Sequence, residues 1–335
     1  MTGWAKAAWA SLSAVADPET PRSLEALDAS DISELFTRDV DSLYLKLAGG
    51  HPRLEIYAAV WAAQWRLLTS FVAELTRQGI PSLVFKGAGV FARHLRHEPV
   101  GMVTDCDLIV PKADSLQAFV TAFQQGFRPT KYSRVDLAPS ELSISDIGGI
   151  LAAHYELPGM SKAVALDLDI AAIDPSLVGW NPLYGEGFLS MELDIHFGLA
   201  VDVPGSAWQW DRAVPAGDVQ VPCDADHLWF VASRYYGEVA SGKRSLRDLA
   251  YIAAIMRHGD IDWDLVLRAA NDFGLRASLY YPLLVAEQLG ALRIPREVVE
   301  LLSPRTNARL SDHGWQLGKL FDFVEPLWVP TDIAL

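Results

Sequence analysis

The chain has 335 residues, half of them apolar, enough to pack one large or two modest hydrophobic cores. Its 42 Asp and Glu against 28 Lys and Arg leave a net charge of -14, which argues against nucleic acid as the partner and favours a small or neutral acceptor. Two cysteines, Cys106 and Cys223, cannot build a disulfide framework. With no run of about 18 or more apolar residues to span a membrane, the expected compartment is the cytoplasm.

The first stretch, Trp4 to Ala16, is interrupted by Ser11 and Ser13, so it reads as a short helix rather than a secretory signal, despite ending in Ala-Val-Ala. Pro18, Pro21 and Gly49-Gly50 punctuate the rest of residues 1–50, an N-terminal helical segment. From Tyr57 the positions Val60, Trp61, Gln64, Trp65, Leu68, Phe71, Val72 and Leu75 recur at helical spacing until Gly79 and Pro81 end the pattern. The short apolar run Ser82 to Phe85 then reads as a strand. It changes abruptly into Lys86-Gly87-Ala88-Gly89, the form of a tight turn into a helix, here expected to run to about His97.

Val103 to Val110 is the next apolar strand, and it carries Asp105 and Asp107. Asp114 with Gln117 suggests a capping box for a helix whose Leu116, Phe119, Val120 and Phe123 face inward, with Gly126 as its C-cap. Residues 57–126 therefore alternate helix and strand, the pattern of a small sheet covered by helices. Residues 127–222 look strand-rich, with strands at Val164 to Ile170 and Met191 to Phe197. From Asp224 the pattern is helical: Leu246, Leu249, Ile252, Ala253 and Met256 form one stripe, and further helices are expected near 263–273, 277–289 and 295–302. The domains expected are thus 1–50, a core at 51–223 and a helical C-terminal domain at 224–335.

Residues i and i+2 of a strand share a face, so Asp105 and Asp107 project together while Cys106 points the other way. Two such carboxylates repel one another unless a cation lies between them, and a pair of divalent ions can be bridged this way in phosphoryl transfer. Magnesium, or manganese in its place, suits oxygen ligands of this kind. Asp-x-Asp alone is common: Asp167 with Asp169, and Asp260, Asp262 and Asp264, repeat it, the last run reading as a helix cap at Asp262. What distinguishes the first pair is its place, one helix beyond Lys86, Gly87, Ala88 and Gly89. There, backbone amides, a helix N-terminus and a mobile cation would suit a triphosphate, although the glycines by themselves also describe an ordinary turn.

Glu192, Asp194 and His196 alternate with Leu193, Ile195 and Phe197, which places the three polar residues on one strand face. Asp194 is the first choice for a third metal ligand or for the base that activates an acceptor hydroxyl, and Glu192 the second; a solvent-facing polar edge is the structural alternative. For His196, orienting a carboxylate, contacting substrate and packing are all open, with direct ligation the last choice. His94 and His97 lack further ligands for a zinc site and read as a solvated helix surface or the border of the nucleotide pocket. Lys243, Arg244 and Arg247 cluster beside Asp248 and read either as contacts to triphosphate or acceptor or as a charged, solvated helix start. The 11 Trp fall mostly in apolar stripes and read as core.

Phe85-Lys86-Gly87, then Asp105 to Val110, then Leu193-Asp194-Ile195-His196-Phe197 resemble the uncharacterised nucleotidyltransferase family of the DNA polymerase beta-like superfamily. Arg247-Asp248-Leu249 and Ile261-Asp262-Trp263 add to the likeness, which covers roughly residues 55–290. The resemblance implies an α+β fold, a small mixed β-sheet core flanked by helices. It also implies a divalent metal pair and transfer of a nucleoside monophosphate from a nucleoside triphosphate, ATP among them, to a small-molecule, peptide or protein acceptor. The wider superfamily carries Gly-Ser where this chain has Lys86-Gly87, with a shorter distance to the aspartates. It also carries an arginine shortly before them, where this chain has Met102-Val103-Thr104 and Arg93 or Arg96 is the nearest substitute. A catalytically silent nucleotide-binding or partner-binding module and a metal-dependent glycosyltransferase are the alternatives.

Overall fold

The computed structural model describes residues 3–303 apart from 21–23, 25, 104, 133–138, 144, 146–147, 150–153, 167, 169–187, 201–202, 209, 241 and 244. The chain forms two compact units: Met1–His51 together with Asp224–Leu335, and Pro52–Cys223. The expected pair Asp167 and Asp169 and the basic Arg244 lie outside the described residues, as does the end of the strand expected at Val164 to Ile170.

The first unit is helical. It comprises α1 (Gly3–Ala16), α2 (Ala29–Thr37) and α3 (Asp41–Leu47) from the start of the chain, with α7 (Asp224–Ala240), α8 (Arg247–His258), α9 (Trp263–Asp272), α10 (Arg276–Gln288) and α11 (Arg296–Leu302). The stripe Leu246, Leu249, Ile252, Ala253 and Met256 is fully buried, α1 packs against α8, and Ala5, Ala8 and Leu12 of α1 are fully buried. Asp262 caps α9 by accepting the Leu265 amide at 3.0 Å, the structural role its position suggests. Asp248 is buried and paired with Arg234 at 2.6 Å.

The second unit, which carries the sheet, begins with α4 (Pro52–Arg77), whose proline stands where a missing backbone donor costs nothing. The helix closes in a Schellman turn: Gly79 takes φ +75°, its amide reaches Thr76 O, and the Ile80 amide reaches Leu75 O. α5 (Lys86–Arg93) and α6 (Ser115–Gln124) are the other helices of this unit. The strands β1 (Leu83–Phe85), β2 (Asp105–Ile109), β3 (Arg128–Tyr132), β4 (Pro139–Glu141), β5 (Met160–Ala165) and β6 (Phe188–His196) form one mixed sheet. Their order is β1-β2-β6-β5-β3-β4, with β2 and β6 parallel and the other neighbours antiparallel. Two short pairs follow, β7 (Gly198–Ala200) with β8 (Val203–Pro204) and β9 (Val214–Ala216) with β10 (Val219–Val221). The fold is α+β. Val84, Phe85, Leu108, Ile109, Val90, Phe91 and Ile195 are fully buried, each large side chain contributing about 1.5–3 kcal/mol.

Three local expectations are corrected. Residues Leu116, Val120 and Phe123 of α6 face solvent, and the buried side is Ala118, Thr121 and Ala122. The helix lies close to α4, where Thr121 and Gln117 both bond the Gln78 side chain, and small residues permit that approach. The capping box is absent: Asp114 ends a short 3-10 turn in helical conformation and makes no cap bond, while Gln117 is turned to Gln78. Finally, α5 stops at Arg93, because Arg96 and His97 take φ +48° and +63°. His94 is buried rather than solvated, while His97 is exposed, as expected of a surface residue, with its ring over Trp61 and against Trp65.

Candidate active site

β2 and β6 run side by side in the middle of the sheet, and their parallel register sets Asp105 opposite Glu192 and Asp107 opposite Asp194. The two Asp-bearing strands are 80 or more residues apart in sequence, yet the period of two carries both sets of carboxylates to the same face. Cys106 and Leu193 are buried on the other. β6 is internal to the sheet, flanked by β2 and β5, so its polar row is not a solvent-facing edge.

Lys86 enters from β1. Phe85 is fully extended and paired with Asp107, and Lys86 then turns with φ +51°, a left-handed conformation that an L-residue with a long side chain seldom adopts. The turn brings the Lys86 ammonium to 2.5 Å from Asp107 Oδ1. Gly87, Ala88 and Gly89 follow in the first turn of α5, whose N-terminal amides have no partner within the helix.

His196 completes the cluster. It is buried at the end of β6, with the Phe85 ring edge-on at 5.0 Å and Tyr155 stacked at 5.9 Å. Its Nε2 lies 3.1 Å from Asp107 Oδ1 and donates to it, while Nδ1 faces Glu156 Oε2 at 3.4 Å. Glu156 arrives because residues 155–157 extend the β5 side of β6: the Leu157 amide bonds Ile195 O and the Phe197 amide bonds Tyr155 O. Gly198 permits the contact, since a Cβ there would stand 2.9 Å from Tyr155 Cβ. Sequence reasoning missed Glu156 and Tyr155, which stand in a stretch with no alternation to mark them.

The carboxylates do not share one electrostatic environment. Burial by itself would raise the Asp107 carboxyl, but the Lys86 charge and the His196 hydrogen bond outweigh it and hold Asp107 well below the usual carboxylate range. Burial, reinforced by the charges of Asp107 and Asp105, pushes Asp194 well above that range, and Lys86 only partly offsets this. Glu192 is raised for the same reasons, burial first and then Asp105. Burial also lifts the Cys106 thiol, so it is a packing residue and no nucleophile.

One ligand atom from each of Asp107, Asp194 and His196 lies within 4.8 Å of the others. The donor set suits a hard or borderline divalent cation, whose charge would relieve the crowding that raises Asp194. Asp105 begins β2 two residues from Asp107 and is half-buried. Arg93 closes α5, about 10 Å along the helix axis from Lys86, and Arg96 is exposed beyond it. Arg247 opens α8 in the helical unit, its amide bonded to Ser245 Oγ.

Among the described residues no helix is long and apolar enough to cross a membrane. A family model described as uncharacterised nucleotidyltransferase matches residues 58–291, more than half of the chain. No curated protein and no solved structure matches.

Proposed function

Because this chain belongs to the uncharacterised nucleotidyltransferase family, we propose that it moves a nucleoside monophosphate from a nucleoside triphosphate to a small-molecule, peptide or protein acceptor. The observation that carries the reading is the parallel register that sets Asp107 against Asp194, with Lys86 from β1 at the same carboxylate. Asp105, Asp107 and Asp194 would hold magnesium, or manganese in its place. The cation supplies Lewis-acid stabilisation of phosphate charge and orients the phosphates when bound.

The protein's own residues account for the remainder. The backbone amides of Gly87, Ala88 and Gly89 and the Lys86 ammonium receive the triphosphate. An acceptor hydroxyl attacks the α-phosphorus, the bond from that phosphorus to the bridging oxygen breaks, and pyrophosphate leaves. Where Asp194 does not itself hold the cation, its place opposite Asp107 suits it to take the hydroxyl proton. His196 fixes Asp107 by its hydrogen bond, and Glu192 lines the same face one step down the strand. Arg93 is a further phosphate-binding candidate.

The test is transfer of label from an α-labelled nucleoside triphosphate in the presence of candidate acceptors. Asp105→Asn and Asp107→Asn each reduce the transfer, by on the order of a thousandfold, the scale of several kcal/mol of lost charge stabilisation. Undiminished transfer in both variants overturns the assignment. Release of nucleoside diphosphate from a nucleotide-sugar, in place of pyrophosphate from a triphosphate, assigns the site to glycosyl transfer instead.

A further inference from the structure

We propose that Lys86 is an exchangeable counter-ion: it occupies Asp107 until a triphosphate draws it away, so that nucleotide and divalent cation bind this site as a pair. The proposal rests on the nucleotidyl-transfer reading and adds to it an order of assembly.

Three features of the cluster lead there. Asp107 Oδ1 accepts from the Lys86 ammonium at 2.5 Å and from His196 Nε2 at 3.1 Å. A carboxylate oxygen has two lone pairs, so both acceptor positions of Oδ1 are taken, and until one donor leaves, a cation is offered Oδ2 alone, beside the ammonium. The ammonium also places a positive charge beside the group of Asp107, Asp194 and His196, where it repels a second cation.

Only one of the two donors is built to move. His196 is 1 % exposed and wedged between the rings of Phe85 and Tyr155. Lys86 has a flexible four-carbon stem, is 17 % exposed, and stands on a backbone at φ +51° that an ordinary L-residue disfavours. It is also the first residue of α5, next to the amides of Gly87, Ala88 and Gly89. A triphosphate at those amides offers the ammonium several charged oxygens in exchange for Asp107 Oδ1. Lys86 then leaves Asp107, which reopens a lone pair on Oδ1 and removes the competing positive charge as the phosphates arrive. Thermodynamic reciprocity requires the converse, that an occupied cation site tightens nucleotide binding by the same factor.

Two measurements on the full chain test this. Manganese alone, without nucleotide, is titrated into wild type and Lys86→Gln and followed by the electron paramagnetic resonance of the free ion. The variant binds manganese on the order of 10-fold more tightly than wild type, a typical coupling factor. In wild type with 13C-dimethylated lysines and EDTA present, the Lys86 resonance shifts on addition of an α,β-methylene triphosphate analogue. The second measurement decides should Lys86→Gln fail to fold, since Asp107 there loses its buried counter-charge. Equal or weaker manganese binding in a folded Lys86→Gln, or a Lys86 resonance indifferent to a bound analogue, overturns the proposal and leaves nucleotidyl transfer standing. Absence of both manganese and analogue binding in both proteins removes the nucleotidyl-transfer reading and this proposal with it.

Discussion

At the scale of single residues, the site is a contrast between two facing carboxylates. Asp107 is held low by Lys86 and His196 against the effect of burial, and Asp194 is held high by burial and by its acidic neighbours. The sign of each contribution to stability follows. Asp107 stabilises the fold above the ordinary carboxylate pKa of about 3.9, and that contribution is lost only as pH falls through its depressed value. Asp194 contributes stability that is complete below about 3.9 and is lost as pH rises through its raised value. Above the ordinary carboxylate range the second effect governs, and a cation that takes the place of the proton reverses it. Magnesium with a non-hydrolysable triphosphate analogue should therefore raise the melting temperature more at pH 8 than at pH 5. At 100 times Kd the gain is about 2.7 kcal/mol, or roughly 5–10 °C for a unit of this size. Asp194→Asn should remove the difference between the two pH values. Equal shifts at both, measured by calorimetry, would mean that Asp194 carries no proton the cation displaces.

At the scale of elements, α6 shows why a sound periodicity can be assigned to the wrong face. Large apolar residues at 116, 120 and 123 and small ones at 118, 121 and 122 both recur at helical spacing. The large set draws the expectation, but the approach of α4, and the bonds from Gln117 and Thr121 to Gln78, select the small set. Arg128 then lies over the exposed Phe123 ring at 4.2 Å. Leu116→Gln is expected to change stability by no more than about 0.5 kcal/mol, whereas Ala118→Leu overpacks the α4 contact and costs about 1–3 kcal/mol. Urea denaturation separates the two, and a larger loss for Leu116→Gln would restore the inward-facing assignment. Turn chemistry was legible where glycine stands at a helix end: Gly79 and Gly126, at φ +75° and +90°, close α4 and α6. At Lys86 the turn was legible but its left-handed conformation was not, because a residue other than glycine leaves no local mark of it.

At the scale of the whole molecule, the described residues before 52 and those after 223 fold together in one unit. Leu12 of α1 is fully buried, and α1 packs on α8, more than 200 residues later in the sequence. Leu12→Ala should cost about 2–5 kcal/mol, and hydrogen exchange should rise in α8 as well as in α1. An increase confined to α1 would make the N-terminal helices an appendage with no part in the helical unit.

The sequence by itself determined what short-range chemistry controls. The 3.6-residue and two-residue periods mark α4, α8, β2 and β6, and the alternation places Asp105 with Asp107 and Glu192 with Asp194 on common faces. It also made Asp262 a helix cap, because that bond spans three residues. Only the tertiary structure decided that β2 and β6 lie parallel and adjacent with Asp107 opposite Asp194. It alone turned Lys86 onto Asp107 and set Glu156 beside His196. Strand pairing across more than 80 residues, and a left-handed bend stabilised by an ion pair, depend on which surfaces bury together. No local pattern of residues encodes that choice.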